Sequence, residues 1–448
     1  MNVDNRGDFS MGPTSYRVNS FSDLWYRRKR LYDRGDGFCT GVTTFTLTVL
    51  FLLTVTTVAW GKTFRVNSGF DVSDLNPGNE LCVAYLIVSP PFVLPFCTLR
   101  AAIEESNNLP GDDLIELQPS IMSLTIEGRN ENDAKSGDLD IIETLTIKGR
   151  GPDQTVIDGR RIDRLFDIIA GNVTLILKDM TLINGEVSSG GGAVYNRGRL
   201  ILDHVVMSGH RAVNSTGGIL HNDGRCTIAK SHLEKGRAAE GGALYNGEGA
   251  RLTLASSTVS ASHAAIGAGI SNHSVMTAVN TTISGNGSAA TLHGGGINNA
   301  GTQQLTHSTV YGNAAQRGGG INDLGFVSLR NCIVAGNRGG DCSPRKGIDE
   351  DAYVLDTDGS CAAGGMGITV ADPGLKALKN NSGPTPTHSL VPSSPARDSG
   401  MLFDTSPVDQ RGVRRPQGKS VDRGAVEAEV FTPLPMIYPL LSKKQASP

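Results

Sequence analysis

The chain has 448 residues, a formal net charge of −3 at pH 7, 56 glycines, 5% aromatic and 19% charged residues. So balanced a charge gives no electrostatic reason to expect a nucleic acid or an acidic polymer as partner. High glycine content and low charge favour a β-structure with many corners over an ordinary α/β domain, and we expect one elongated domain with caps.

The N-terminal part carries a candidate export signal. Residues 38–61 contain no charged side chain, and the basic run Arg27-Arg28-Lys29-Arg30 lies just before them. This pattern is typical of a secretory signal, although the polar lead of residues 1–37 is longer than usual. Two alternatives stay open: translation starts at Met11 or later, or residues 38–60 remain as an uncleaved signal anchor. We expect an exported protein, extracellular or in the cell envelope, that contacts a membrane only through an uncleaved segment.

The seven cysteines agree with export, because disulfides persist in oxidising compartments. Four of them lie in irregular sequence outside the repeats and are predicted to form two disulfides, each worth ~3 kcal/mol: Cys82 with Cys97, and Cys342 with Cys361. Cys226 and Cys332 lie in strand-like sequence and are expected to be free and buried. No CxxC or HxxxH spacing occurs, so we expect no metal site, and no motif points to a cofactor.

One short motif recurs six times in the middle of the chain: GGAVYN (191–196), GGILHN (217–222), GGALYN (241–246), GAGISN (267–272), GGGINN (294–299) and GGGIND (318–323). The copies are separated by 26, 24, 26, 27 and 24 residues, a period typical of a solenoid. Runs of alternating apolar and small polar residues follow each copy and end in Gly-containing corners, which predicts strands. The sequence therefore predicts an all-β, right-handed parallel β-helix with coils about 4.8 Å apart.

The last residues of these motifs are predicted to stack as a ladder of side-chain amides, as identical residues do in cross-β structures. We interpret this ladder as structural and not as a ligand site. Its members are Asn196, Asn222, Asn246, Asn272 and Asn299, with Asp323 at the same position of the sixth copy.

The open end of a β-helix needs a cap. Residues 97–108 form the best helical stretch, with Thr98 as N-cap and Pro110-Gly111 as the stop. The runs FRVNSGFDVSDLNPGNELC (64–82) and CTLRAAIEESNNLPGDDLIEL (97–117) resemble the CSLREA domain found at the start of exported bacterial β-helix proteins. The signature hexapeptide departs from the family at Thr98 and Ala101.

The C-terminal part is similar to the choice-of-anchor Q region of the same kind of protein. The resemblance is carried by DTDGSC (356–361), ADPGLKAL (371–378), NSGPTPTHSLVPSSPARDSG (381–400) and DQRGVRRPQGKSVDRGAVE (409–427). Together the two resemblances cover about 62–427 and imply a pectin-lyase-like β-helix on an exported bacterial protein, without implying a reaction.

The predicted organisation follows the chain in six parts: a polar lead (1–37), a signal peptide or anchor (38–61), an N-terminal cap (62–117), β-helix repeats (118–340), an irregular C-terminal cap (341–427) and a tail (428–448).

Many β-helices cleave polysaccharides, which makes the acidic residues candidates for catalysis, and these are concentrated early in the chain. The densest polar cluster is 158–164, and Asp158, Asp163 and Arg160 are the weak catalytic candidates, because carboxylates beside arginine can bind a charged sugar. The competing interpretation is a corner loop with paired surface charges. His221 and His273 are further candidates, but the sequence shows no carboxylate partner for either.

The favoured function is that of an exported, non-catalytic β-helix with an adhesin-like or polysaccharide-binding role. Tyr195 and Tyr245 take equivalent motif positions two coils apart, about 10 Å, and are the candidate contacts for an extracellular polysaccharide or cell-surface component. The alternative is a polysaccharide lyase or glycoside hydrolase of the pectin-lyase-like class, which would use the early acidic residues. A third hypothesis is a membrane-tethered structural protein.

Overall fold

Short apolar runs and paired glycines fold the chain into a stack of parallel coils. The computed structural model describes residues 61–89, 92–129, 131–344, 350–361, 366–402 and 406–429. Most of the predicted export segment and almost all of the predicted tail lie outside these ranges. No helix within them is long and apolar enough to span a membrane.

The N-terminal part contributes the first strands of the stack and a helix. Its elements are β1 (Thr63–Val66), β2 (Ala84–Ser89), β3 (Phe92–Phe96), α1 (Leu99–Asn107), β4 (Asp113–Leu117) and β5 (Ser120–Ser123). Strands β1 and β4 pair in parallel, whereas β2 and β3 form an antiparallel hairpin. The Thr98 hydroxyl caps α1 by accepting a hydrogen bond from the Ala101 N–H at 3.0 Å.

The central coils supply most of the strands. In chain order they are β6 (Leu139–Ile141), β7 (Leu145–Lys148), β8 (Thr155–Asp158), β9 (Phe166–Ile168), β10 (Thr174–Ile183), β11 (Glu186–Val187), β12 (Val194–Asn196), β13 (Arg199–Ser208), β14 (Arg211–Ala212), β15 (Leu220–Asn222), β16 (Arg225–Ala229), β17 (His232–Glu234), β18 (Leu244–Asn246), β19 (Arg251–Ala255), β20 (Thr258–Ser260), β21 (Ile270–Asn272), β22 (Val275–Val279), β23 (Thr282–Ser284), β24 (Ile297–Asn299), β25 (Thr302–Thr306), β26 (Thr309–Tyr311), β27 (Ile321–Asp323), β28 (Phe326–Arg330) and β29 (Ile333–Ala335).

The stack extends beyond the predicted repeat region, 118–340, at both ends. It begins with β1 and continues through β30 (Cys342–Pro344), β31 (Glu350–Ala352), β32 (Leu355–Asp356) and β33 (Ile368–Thr369), each of which pairs in parallel with an earlier strand. The predicted parallel β-helix is therefore confirmed, and α1 is the one α-helix among the described residues.

The six copies of the recurring motif supply the central strands of a nine-stranded parallel sheet, in the order β6-β9-β12-β15-β18-β21-β24-β27-β30, and β6, β9 and β30 extend it at its ends. Each of these strands has three residues, of which the first and last point into the solenoid. The first glycine of the motif is required by its backbone. Gly217 has φ +64, and a Cβ there would lie 2.3 Å from the carbonyl oxygen of Leu220.

The asparagines form the ladder inside the solenoid. The Nδ2 of each donates to the Oδ1 of the next at 2.6–2.8 Å, and all five are fully buried. Asn299 donates to Asp323 Oδ1 at 2.7 Å. Every amide therefore donates toward the C-terminal end, and the last position is held by a carboxylate, which accepts without needing to donate.

A second amide ladder, which sequence reasoning assigned only to corners, lies at Asn286, Asn313 and Asn337. Their Nδ2 groups donate in turn at 3.0 Å, and the last bond ends on Asp341 Oδ1. Both ladders thus run in the same direction and end on an aspartate.

The C-terminal region lies along the side of the stack. Gln410 is its main anchor: it accepts from the Thr282 hydroxyl at 2.7 Å and donates to the Thr258 hydroxyl at 2.8 Å. Arg423 donates to the carbonyl of Val354 at 2.6 Å. The segment predicted as an irregular cap therefore also covers a lateral face of several coils.

Both predicted disulfides are present. Cys82 is bonded to Cys97, directly before the helix cap, and Cys342 to Cys361. Cys226 and Cys332 are free and buried.

Removing one donor from the amide ladder is expected to destabilise the fold. Asn246→Asp removes the donor to Asn272 and leaves a buried charge facing an amide oxygen, so we expect the free energy of unfolding to fall by about 3 kcal/mol. Asn172→Asp, at an exposed asparagine outside the ladder, is the matched control and is expected to cost less than ~0.5 kcal/mol. Urea unfolding of the two variants measures both values, and equal losses would contradict a directional ladder.

Gln303 is a polar residue in the apolar interior. It lies between Met276 and Val327 in the stack and is fully buried, and its amide nitrogen and oxygen have no hydrogen-bond partner among the described residues. We expect Gln303→Met to raise the free energy of unfolding by roughly 1–3 kcal/mol, because the unpaired amide is removed at similar volume. The neighbouring, exposed Gln304→Met is the matched control and should leave the urea midpoint unchanged.

Candidate functional site

The middle residues of the short strands point outward and form one column along the nine-stranded sheet. In register they are Asp140, Asp167, Tyr195, His221, Tyr245, Ser271, Asn298, Asn322 and Ser343. We call this set the outer column. It has carboxylates at its N-terminal end, rings in the middle and amide or hydroxyl groups beyond them.

The rings lie against each other. Ring centroids are separated by 4.6 Å between Tyr195 and His221, 4.8 Å between His221 and Tyr245, and 5.0 Å between Tyr245 and His273. We call these four residues the ring strip. The two candidate tyrosines are therefore two coils apart, with a histidine between them that the sequence reasoning did not place there.

Asp223 joins the first part of the ring strip. Its carboxylate accepts from the Tyr195 hydroxyl at 2.8 Å and lies 3.1 Å from His221 Nε2, while His221 Nδ1 lies 2.7 Å from the Thr216 hydroxyl. The inference that His221 lacks a carboxylate partner was wrong, although the partner is only two residues away in sequence. Burial lowers the pKa of His221, and Asp223 opposes that shift.

Glu240 has the same role at the other end of the strip. Its Oε1 lies 2.6 Å from His273 Nε2 and accepts from the Ser271 hydroxyl at 2.7 Å. The inference that His273 lacks a carboxylate partner was therefore also wrong. Ser271 is fully buried and contacts the same ring nitrogen that Glu240 contacts, at 3.3 Å. A nucleophilic triad needs the acid and the serine on opposite ring nitrogens, so this set is not one.

Two arginines cover the N-terminal side of Tyr195. The guanidinium carbon of Arg197 lies 4.7 Å from the ring centroid and that of Arg164 lies 5.5 Å away. Arg197 donates to Asp167 at 2.7 Å, and Arg164 Nε lies 2.8 Å from Asp138. Burial raises the pKa of Asp167, and the two arginines oppose this.

The catalytic candidates from the sequence are separated by their partners. Asp158 accepts from the backbone N–H of Arg160 at 2.9 Å and from the Asn184 amide at 3.0 Å. Asp163 is buried. Its charge helps to raise the pKa of Asp138, while Arg164 opposes the rise that burial causes in the pKa of Asp163 itself. Arg160 is exposed, with φ +49. These contacts match the corner-loop interpretation more closely than a shared sugar site.

Three carboxylates near the start of the outer column are close enough to share a cation. One oxygen each from Glu131, Asp138 and Asp140 lies within 4.8 Å of the others. No sequence spacing pointed to this group, because its members come from one loop and one strand and contain neither His nor Cys.

A groove with positive walls crosses the same coils on a neighbouring corner. It has a volume of about 1130 Å³ and a floor of small residues that includes several alanines. We call it the basic groove; its charged or titratable lining residues are Arg161, Glu186, His210, Arg211, Lys235, Arg237 and His263.

Two arginines of the basic groove are stacked. Arg211 and Arg237 are bridge partners on successive coils, about 4.8 Å apart, and His263, whose pKa is lowered by burial and by Arg237, follows on the next coil. Glu186 is the carboxylate of the lining and lies 3.1 Å from Arg161 and 3.9 Å from Arg211. Arg237 has no ion pair within the described parts of the chain. The near-neutral total charge therefore conceals a local concentration of basic side chains.

No protein-family model and no curated protein matches the chain. Among solved structures, the crystal structure of pectate lyase Pel9A is similar to 83% of this chain and 98% of that chain, at 14% sequence identity and a TM-score of 0.46. A likeness at this level carries no argument about activity, and the fold assignment rests on the strand pairing of this chain.

The protonation of His221 gives a direct check on the ring strip. Because burial disfavours the imidazolium, its pKa is expected below 6.5. Asp223→Asn removes the charge that favours the imidazolium and should lower the pKa further. NMR titration of the histidine ring protons measures both values, and an increase in the variant would show that the carboxylate does not act on this ring.

Proposed function

We propose that this protein is an exported, non-catalytic β-helix of the CSLREA and choice-of-anchor Q kind that binds an extended, negatively charged polysaccharide in the basic groove. The stacked cations of successive coils are the observation that carries the proposal. A linear polymer with regularly spaced carboxylates would meet Arg211 and Arg237 on successive coils. The two disulfides support an oxidising, extracellular location.

The small side chains that line the groove also favour a polymer over a compact ligand. Ala238, Ala239, Ala264 and Ala265 leave room for a chain to lie along several coils. Arg237 is available for a ligand because no carboxylate of the described chain pairs with it.

The ring strip is proposed as a second contact surface on the same coils. Tyr245 is half-buried, and its hydroxyl would supply a hydrogen bond to a sugar. Tyr195 is engaged by Asp223 and the two arginines, so we expect it to contribute less than Tyr245. This order differs from the equal roles that the sequence indicated.

Removing the stacked cations should weaken binding. We expect the double variant Arg211→Ala/Arg237→Ala to lose at least ~10-fold in affinity for a polyuronate, a loss of about 1.4 kcal/mol, and to show a smaller dependence of affinity on salt. Arg251→Ala, an exposed arginine outside the groove, is the matched control. Calorimetric titration with the polyuronate and with its neutral methyl ester separates charge recognition from contact with the sugar. Equal affinity of the two polymers would overturn the proposal.

A catalytic alternative keeps one specific observation in its favour, the two carboxylates beside the ring strip. If the full-length protein shortens the polymer, Asp223→Asn and Glu240→Gln identify whether those carboxylates act as acid and base. Cleavage that both variants abolish would replace the binding function with a hydrolase or lyase. Retention of the polymer at unchanged chain length supports binding alone.

A further inference from the structure

We propose that Glu131, Asp138 and Asp140 bind a Ca²⁺ ion that fastens the loop before β6 to the first coils. Glu131 lies in the middle of that loop, Asp138 at its end and Asp140 in β6, and one oxygen from each lies within 4.8 Å of the other two. A single cation between them would join the middle of the loop to the strand that follows it.

Asp140 is the residue that points to a cation. It is only 1% exposed, and its Oδ2 accepts from the Ala134 N–H at 3.0 Å. Its Oδ1 is buried and has no hydrogen-bond donor among the described residues. A buried carboxylate oxygen without a partner is costly, and a bound cation removes that cost.

The nearby guanidinium groups are already engaged. Arg164 contacts Asp138 at 2.8 Å, Arg197 contacts Asp167 at 2.7 Å, and Arg100 contacts Asp71 at 2.6 Å. None of these arginines forms an ion pair with Asp140 or Glu131 in the described structure. The Asp140 and Glu131 carboxylates are thus left for another cation to neutralise.

Glu131 organises the loop around the same position. Its Oε1 accepts from the Ser136 N–H at 3.1 Å, and its Oε2 accepts from the Asp133 N–H at 2.9 Å. Carboxylates have spare lone pairs after such bonds, so Glu131 is able to bind a cation as well.

The donor set selects a hard cation. All three ligands are carboxylate oxygens, which suit Ca²⁺ or Mg²⁺ better than Zn²⁺. Ca²⁺ accepts carboxylate ligands in variable geometry, which three carboxylates from a loop and a strand satisfy more readily than they satisfy the strict octahedron of Mg²⁺.

The test uses the full-length protein after treatment with EDTA. Titration with CaCl₂ in a calorimeter should give saturable heat, and Ca²⁺ should raise the Tm. Lys135 lies in the loop with its side chain 68% exposed, so trypsin cleavage there should slow when Ca²⁺ is added. Asp140→Asn should abolish all three responses, whereas Asp112→Asn, at an exposed carboxylate outside the cluster, should keep them.

Far-UV circular dichroism establishes that Asp140→Asn folds. If it does not, Glu131→Gln, at the rim of the site, is expected to weaken binding without loss of the fold. A wild-type protein without Ca²⁺ heat, or an Asp140→Asn protein that responds like the wild type, would overturn the proposal. A Ca²⁺ response that is lost in both ligand variants and kept in Asp112→Asn establishes the site.

Discussion

The inward-facing positions of every coil must stay in register with those of the next, and the rest of the structure depends on that constraint. Each of the short strands β12, β15, β18, β21 and β24 places an apolar residue and a ladder asparagine inside and one side chain outside. Because strand side chains alternate between the two faces, a slip of one residue would place the outer residue in the core. The 24 to 27 residues between ladder positions differ only in the corners, which are therefore free to vary.

The contrast between regular inward positions and variable corners explains which features could be predicted from the sequence. The first ladder was predictable because its asparagines end a recognisable motif, and the disulfides because their cysteines lie in irregular segments. The second ladder was missed because Asn286 and its equivalents follow glycine at corners, where asparagine is common for local reasons. The partner of His273 was missed because Glu240 precedes it by 33 residues, and only the stacking brings the two together.

Charge is distributed unevenly over the coils. Buried carboxylates collect at the first strands of the nine-stranded sheet, rings follow in the same column, and arginines line a neighbouring corner. A net charge sums these regions to nearly zero, so it carries no information about any of them. Columns, rather than local motifs, are the units in which this fold places its chemistry, since residues far apart in sequence repeat at one strand spacing.

The direction of the two amide ladders also has a consequence for how such a protein changes length. Every internal rung both accepts and donates, so a coil that ends in asparagine can be followed by another of its kind. Asp323 and Asp341 accept but cannot pass a donor onward. Duplication of a repeat before them preserves the chain of hydrogen bonds, whereas duplication after them interrupts it. The change from asparagine to aspartate thus marks, within the sequence itself, the last coil to which duplication can extend the amide ladder, although β30 continues the stack with Pro344 at this position.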